Sequence, residues 1–207
     1  MAGRGARPDR PARERVLEAA LDLFAEHGVS GTSLQMIADR MGVTKAAVYH
    51  QFHTKEDIVF AVVGPALDRL LEIADAIDAE PDHEQRFTET LAGIIDLIVT
   101  HRRLAAIVQF DPMVARLVRG HPAHASFERI RALFTGPDPD AAALVAAAMV
   151  SGGLIVAGVD PALMRLGDDE LREHLFDTAA RLLRPMPTGL PPARARGARA
   201  ATTPASG

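Results

Sequence analysis

Cysteine is absent from the 207 residues of this chain. Disulfides and thiolate metal sites are thereby excluded, and a reducing cytosol is compatible with the composition. The N-terminus lacks an apolar signal core and carries arginines instead, so a secreted protein is not expected and a cytoplasmic one is. Reactive constellations are missing too. There is no nucleophile elbow, no phosphate-binding glycine loop and no paired-acid arrangement, which makes an enzyme the weakest functional class. No convincing strand alternation follows residue 54, so the expected fold class is all-α. Tyrosine occurs once, as Tyr49.

Charge is scarce in one stretch. Ala141 to Val159 holds no ionisable side chain and approaches the length of a membrane span. Asp138, Asp140 and Asp160 flank it, where basic and aromatic anchors belong at a membrane boundary. It is also rich in alanine and includes Gly152 and Gly153, without the Leu/Phe density that favours insertion. No membrane partner is expected; the run reads as a helix buried on most sides with close backbone approach.

The net charge of −4 argues at first against a polyanionic partner, but the charge is segregated. Residues 58–184 carry 12 basic and 19 acidic side chains, whereas residues 1–15 hold five arginines against Asp9 and Glu14, and residues 185–207 hold Arg194, Arg196 and Arg199 with no acid. Two basic arms flank an acidic middle, as in a modular protein with a nucleic-acid-binding end. Both arms, 1–11 and 185–207, are rich in Gly and Pro and poor in apolar surface, and are expected to be disordered.

The most specific segment is Ile37-Ala38-Asp39-Arg40-Met41-Gly42-Val43-Thr44-Lys45-Ala46-Ala47-Val48-Tyr49-His50. It reads as a helix, a sharp turn at Gly42 and a second short helix, the pattern of a DNA-binding helix-turn-helix. Ala38 is small where the helices must approach. Gly42 tolerates the left-handed conformation that ends a helix. Thr44 is an N-cap. Ile37, Met41 and Val48 close a small core, which leaves Lys45, Ala46, Tyr49 and His50 facing outward toward a major groove. Thr32-Ser33-Leu34-Gln35 offers a capping-box start for the first of these helices, and Thr54 with Asp57 starts a long third one. Upstream, Val16/Leu17, Ala20/Leu21 and Phe24 recur at helical spacing, and Gly28 ends that helix. The domain reading is a helix-turn-helix unit over 12–55 and a helical domain over 56–184.

Residues 13–63 resemble the reading head of the tetracycline-repressor (TetR) family of bacterial transcriptional regulators. The match runs through Ala19-Ala20, Leu23-Phe24, Gly28, Thr32-Ser33, Ile37-Ala38, Gly42-Val43, Tyr49, Phe52 and Lys55. The resemblance implies a homodimeric repressor of a palindromic double-stranded DNA operator, released by a small molecule. It implies that Tyr49 and Lys55 bind backbone phosphates, assisted by Thr32 or Ser33. Lys45 and His50 are expected nearest the bases, with Gln35 reaching from the preceding helix. Thr44 belongs to the same contact group. Ala46 and Ala47 are expected to pack on thymine methyl groups.

Beyond the head, helices are expected near 54–79, 84–101, 102–109, 112–119, 122–134, 139–158 and 168–184. The breaks fall at Glu80-Pro81, Asp111-Pro112, His121-Pro122, Gly136-Pro137-Asp138-Pro139 and Asp160-Pro161. Helix 84–101 is amphipathic, with Phe87, Leu91, Ile94/Ile95 and Ile98 on one face and Asp96 solvated on the other. Leu171, Leu175, Leu182 and Leu183 recur on one side of 168–184. The resemblance implies that 139–158 and 168–184 pair with their copies across a two-fold axis. It also implies a ligand pocket in the following helices. The candidates are Leu67, Leu71, Leu91, Ile94, Ile95, Ile98, Val108, Phe110, Met113, Phe127, Ile130 and Phe134, with His101, Gln109 and His124 as polar groups. Such a lining suits an apolar effector. A DNA-binding dimer with no effector stays open beside this reading. His121-x-x-His124 has Pro122 between its imidazoles and no carboxylate at ligand spacing, so neither a metal nor a cofactor is expected.

Overall fold

The computed structural model describes residues 10–102, 104 and 111–184. Among the described residues there are nine α-helices and no strand. They are α1 (Ala12–Gly31), α2 (Leu34–Met41), α3 (Lys45–Gln51), α4 (Lys55–Ala79), α5 (His83–Thr100), α6 (Pro112–Arg119), α7 (Ala123–Thr135), α8 (Ala141–Ala157) and α9 (Asp168–Leu183), with a short 3₁₀ turn at Leu163–Arg165 before the last. The basic arms lie outside the described residues, except Arg10, which pairs with Glu18 at 3.1 Å, and Pro11, which precedes α1.

Local rules account for the ends. Gly28 breaks α1 with φ 73° and ψ 164°, after which a single turn runs to Gly31. Asp82, Asp111 and Asp140 each accept a backbone N–H in the first turn of α5, α6 and α8, the usual role of a short acceptor at an N-cap. Three acids open α9 and Arg181 closes it, in the sense that offsets the helix dipole.

The helix α4 joins head to body. Its first turns bury Ile58, Val59 and Val63 in one continuous core with Val16, Ala20, Phe24, Ile37 and Val48 of the head, and the same core runs on through Leu70 and Ala74 to Ile130 of α7. Arg129 of α7 reinforces that seam by donating to Asp75, Asp78 and the Ala74 carbonyl at 3.0, 2.6 and 2.7 Å. A second core forms among α5, α8 and α9. Phe87, Leu91, Ile95 and Val99 meet Val150, Leu154, Leu171 and Leu183 there, and Phe134 meets Phe87 edge-on at 5.4 Å. Asp96 is on the outer face of α5 and pairs with Arg172 at 3.0 Å.

Two expectations change here. The uncharged segment is not covered on most sides within one chain: only Val150 and Leu154 of α8 are buried, while Leu144, Val145, Met149 and Val156 remain 42–60% exposed. Helical spacing puts Val145, Met149 and Val156 on one stripe, opposite the side that packs inward. On α9, Leu171 and Leu183 are buried but Leu182, on the same side of the helix as Leu171, is 42% exposed near the helix end. No helix among the described residues is long and apolar enough to cross a membrane.

Candidate nucleic-acid interface

The turn between α2 and α3 is built as its residue types require. Gly42 takes φ 66° and ψ 33°, and its N–H reaches the carbonyls of Ala38 and Asp39. Val43 N–H also returns to Ala38 O at 3.0 Å. Ala38 is fully buried where the helices meet. Thr44 Oγ1 accepts from Ala47 N–H at 3.3 Å and starts α3. Within the seven residues of α3 only Val48 is buried. Lys45, Ala46, Ala47, Tyr49 and His50 all face solvent. A short helix anchored by one side chain and two capping turns leaves nearly its whole surface free for a groove.

Two cations hold this surface together. Arg40 of α2 forks onto Glu26 of α1 at 2.6 and 3.1 Å, and the pairing keeps the Glu26 carboxyl below the usual range. Arg13 lies over the Phe52 ring at 4.5 Å, behind the exit of α3. On the exposed side, Lys45 Nζ is 5.6 Å from the Tyr49 ring centre, close enough for a cation–π attraction that orders both side chains. His50 Nδ1 is 3.2 Å from Gln51 Nε2.

The cap of α2 differs from the sequence reading. Ser33, not Thr32, is the N-cap, accepting from Met36 N–H at 3.2 Å. Gln35 is then not the reciprocal partner; its amide bonds Asp39 Oδ1 at 2.8 Å on the exposed face. Thr32 is removed from the candidate contacts. It is 2% exposed, and its hydroxyl donates its one proton to Gly28 O at 2.8 Å, with Leu23 O also near at 3.2 Å, serving the backbone carbonyls where α1 breaks. Ser33 stays exposed, and no described contact uses its hydroxyl proton.

Lys55 needs a partial correction. Its ammonium donates to Val29 O and Thr32 O at 2.9 and 3.0 Å, so two of three donors are engaged inside the head and one is left for a phosphate. Thr54 and Asp57 form the expected capping box at the start of α4. The Thr54 side chain and backbone hold the Asp57 carboxyl below its ordinary value.

The candidate effector pocket is not assembled as expected. Leu67, Leu91, Ile95 and Ile130 are buried core, 0–7% exposed, and Leu71, Ile94, Ile98, Met113 and Phe134 pack partly buried against the same cores. Phe127 is 44% exposed beside His124 and is excluded as a lining residue, because it sits on the outer side of α7. Val108, Gln109 and Phe110 lie outside the described residues. His101 borders a cavity. That cavity, about 310 Å³, opens between head and body and is edged by Leu21, Val62, Thr100, Arg102 and Asp168.

One linking residue escaped the sequence reading. Asp111, capping α6, is 8% exposed and accepts from Ser30 N–H at the end of α1, 3.0 Å away across 81 positions. It also accepts from Met113 N–H at 2.9 Å. Burial works against its ionisation. The backbone N–H groups of Ser30, Met113, Val114 and Val29 outweigh it and hold the carboxyl below the ordinary aspartate value. Only its place before Pro112 hinted at a cap, and nothing local pointed to α1.

The family pattern described as bacterial regulatory proteins, tetR family, matches residues 16–62. A solved transcriptional regulator of the TetR/AcrR family from Thermobifida fusca is 31% identical, with 83% of this chain and 96% of that one covered at a TM-score of 0.52. This chain belongs to the TetR family. It is a regulatory protein of helix-turn-helix type and not an enzyme. The transcriptional repressor KstR2 of Mycolicibacterium smegmatis is 37% identical over 107 residues, which cover 50% of this chain and 52% of that protein. The transcriptional regulator SrpR of Pseudomonas putida is 40% identical over 63 residues, 30% of each chain. The matches thus span about a third to a half of these curated relatives.

Proposed function

We propose that this TetR-family chain is a homodimeric repressor that binds a palindromic DNA operator in the cytoplasm through α3. The observation that carries this reading is the exposure of Lys45, Ala46, Ala47, Tyr49 and His50 around the single buried anchor Val48 of α3, on a helix whose entry and exit are both capped. In this reading Lys45 and His50 address base edges, and Ala46 and Ala47 let the helix approach thymine methyls. Tyr49, Ser33, Thr44 and the third donor of Lys55 hold phosphates, and Gln35 reaches across once released from Asp39. The head is taken as residues 12–55 and the effector-binding and dimerisation body as 56–184.

Dimerisation is assigned to α8 and α9. Val145, Met149 and Val156 expose one apolar stripe along α8, and Leu182 adds to the apolar surface of α9. An exposed apolar stripe of this kind on α8 supports an interface there. Two-fold pairing then sets two copies of α3 about one helical turn of DNA, or a multiple of it, apart. Release by a small molecule is supported by the cavity of about 310 Å³ between head and body, which is at the lower end of ligand-binding volumes. A second reading, a dimeric DNA binder with no effector, is favoured by the close packing of Leu91 and Ile95, which leaves no apolar chamber at the expected place among the described residues. Selection of genomic fragments on the purified chain, followed by footprinting, tests the proposal. A protected, two-fold symmetric sequence is expected; retention of all fragments alike would refute sequence-specific repression.

A further inference from the structure

The cavity at the head–body junction has a chemistry of its own. Leu21 of α1, Val62 of α4, Val99 of α5 and Leu104 supply apolar walls, and Arg102, His101 and Asp168 stand at the polar end. The Arg102 side chain is only 14% exposed. Its Nη2 donates to Asp168 at 2.6 Å, while its Nε is buried with no hydrogen-bond partner. Guanidinium stays charged at any working pH and has no acceptor capacity, so a buried unpaired N–H on it is satisfied only by an incoming acceptor. An anionic acceptor forms the stronger, charge-assisted bond.

We propose that this cavity binds a small amphipathic monoanion, a short or medium-chain carboxylate. Its carboxylate pairs with the Arg102 guanidinium beside His101, and its hydrocarbon lies along Leu21, Val62, Val99 and Leu104. Asp168 already supplies one negative charge at the rim, which disfavours a dianion such as a phosphate monoester. The volume of about 310 Å³ suits a small ligand rather than a long chain or a polycycle. Leu21 and Val62 belong to the two helices that carry the reading head, so a ligand here touches head and body together. Its effect on operator binding rests on the DNA-binding reading above and requires different affinity for the free and DNA-bound forms.

Calorimetry of the full chain with hexanoate, octanoate and decanoate tests the site without DNA, with 1-octanol and octyl phosphate as comparators. Octanoate is expected to bind at least about tenfold more tightly than 1-octanol, and Arg102→Gln to weaken octanoate by about tenfold or more while leaving the alcohol unchanged. Val62→Phe, which keeps Arg102 and its ion pair, is expected to shift the preference toward hexanoate by filling the apolar end. Absence of carboxylate binding at millimolar concentration, equal binding of acid and alcohol, or octanoate binding unchanged in a folded Arg102→Gln chain would overturn the proposal. Tighter binding of octyl phosphate than of octanoate would overturn the monoanion assignment. If octanoate binds as described but leaves operator affinity unaltered, the site stands and its regulatory role fails; if the operator binds and octanoate does not, the site fails alone.

Discussion

Replacing Met149 tests the dimer at its most exposed apolar side chain. Met149 is 60% exposed in the single chain and lies between Val145, 57% exposed, and Val156, 47% exposed. Full burial of a methionine side chain contributes about 1.5–3 kcal/mol, so burying the remaining exposed part across a two-fold axis contributes roughly 1–2 kcal/mol per copy. Met149→Ala removes both copies, about 2–4 kcal/mol, which weakens dimerisation roughly 30- to 700-fold. Met149→Glu goes further by placing an uncompensated charge from each protomer in the interface, at about 3–5 kcal/mol. Met149 is a sharper probe than Ala147, which packs partly buried against the second core. Gly152 is a useful companion, since a side chain added there meets nothing within 4 Å in the single chain; Gly152→Arg should leave the monomer folded and break the dimer. Analytical ultracentrifugation at low micromolar concentration, with helicity followed by circular dichroism, reads the outcome. Folded Met149→Glu and Gly152→Arg chains that both sediment as dimers, with a dissociation constant unchanged from the parent, would place the interface off this stripe.

Lys45→Ala is expected to cost about 1–3 kcal/mol per half-site at one base pair and to relax sequence choice there; equal weakening on specific and random DNA would move Lys45 to the phosphate group. Lys55→Ala should lower the melting temperature, since it frees Val29 O and Thr32 O, and should reduce the salt slope by about 1 for each phosphate no longer bound, doubled in the dimer. A lowered melting temperature with an unchanged slope would leave Lys55 as an internal tie alone. Asp111→Asn should cost about 1–2 kcal/mol, or roughly 2–8 °C in Tm, by weakening the bonds to Ser30 and Met113. The folded carboxyl titrates below the ordinary aspartate value of 3.8. Its contribution is therefore complete above that value and disappears as pH falls through the lower, folded one. The gap in stability between the parent and Asp111→Asn should accordingly be constant near neutral pH and close in acid; a gap that widens in acid would contradict the assignment.

Short-range rules made much of the head legible from residues alone. Gly42 had to turn left-handed, Thr44 and Thr54 had to cap, and Val48 had to anchor α3, because each role depends on neighbours within four positions. The proline breaks and the amphipathic face of α5 were readable for the same reason. Long-range partners were not. Thr32 and Ser33 are equivalent as cap candidates by type, and only the break in α1 at Gly28, with open carbonyls above Thr32, assigns one to the core and the other to solvent. Lys55 is engaged by carbonyls 23 and 26 positions away, and Asp111 by an amide 81 away. Such pairings arise because burial forces any nearby donor and acceptor to find each other. The uncharged run of α8 carried no signal of which side is covered, since it is apolar all around; packing against α5 and α9 chose one side and left Met149 on the other. The cavity beside Arg102 is likewise a product of where α1, α4, α5 and α9 converge, a volume that no local pattern in the chain describes.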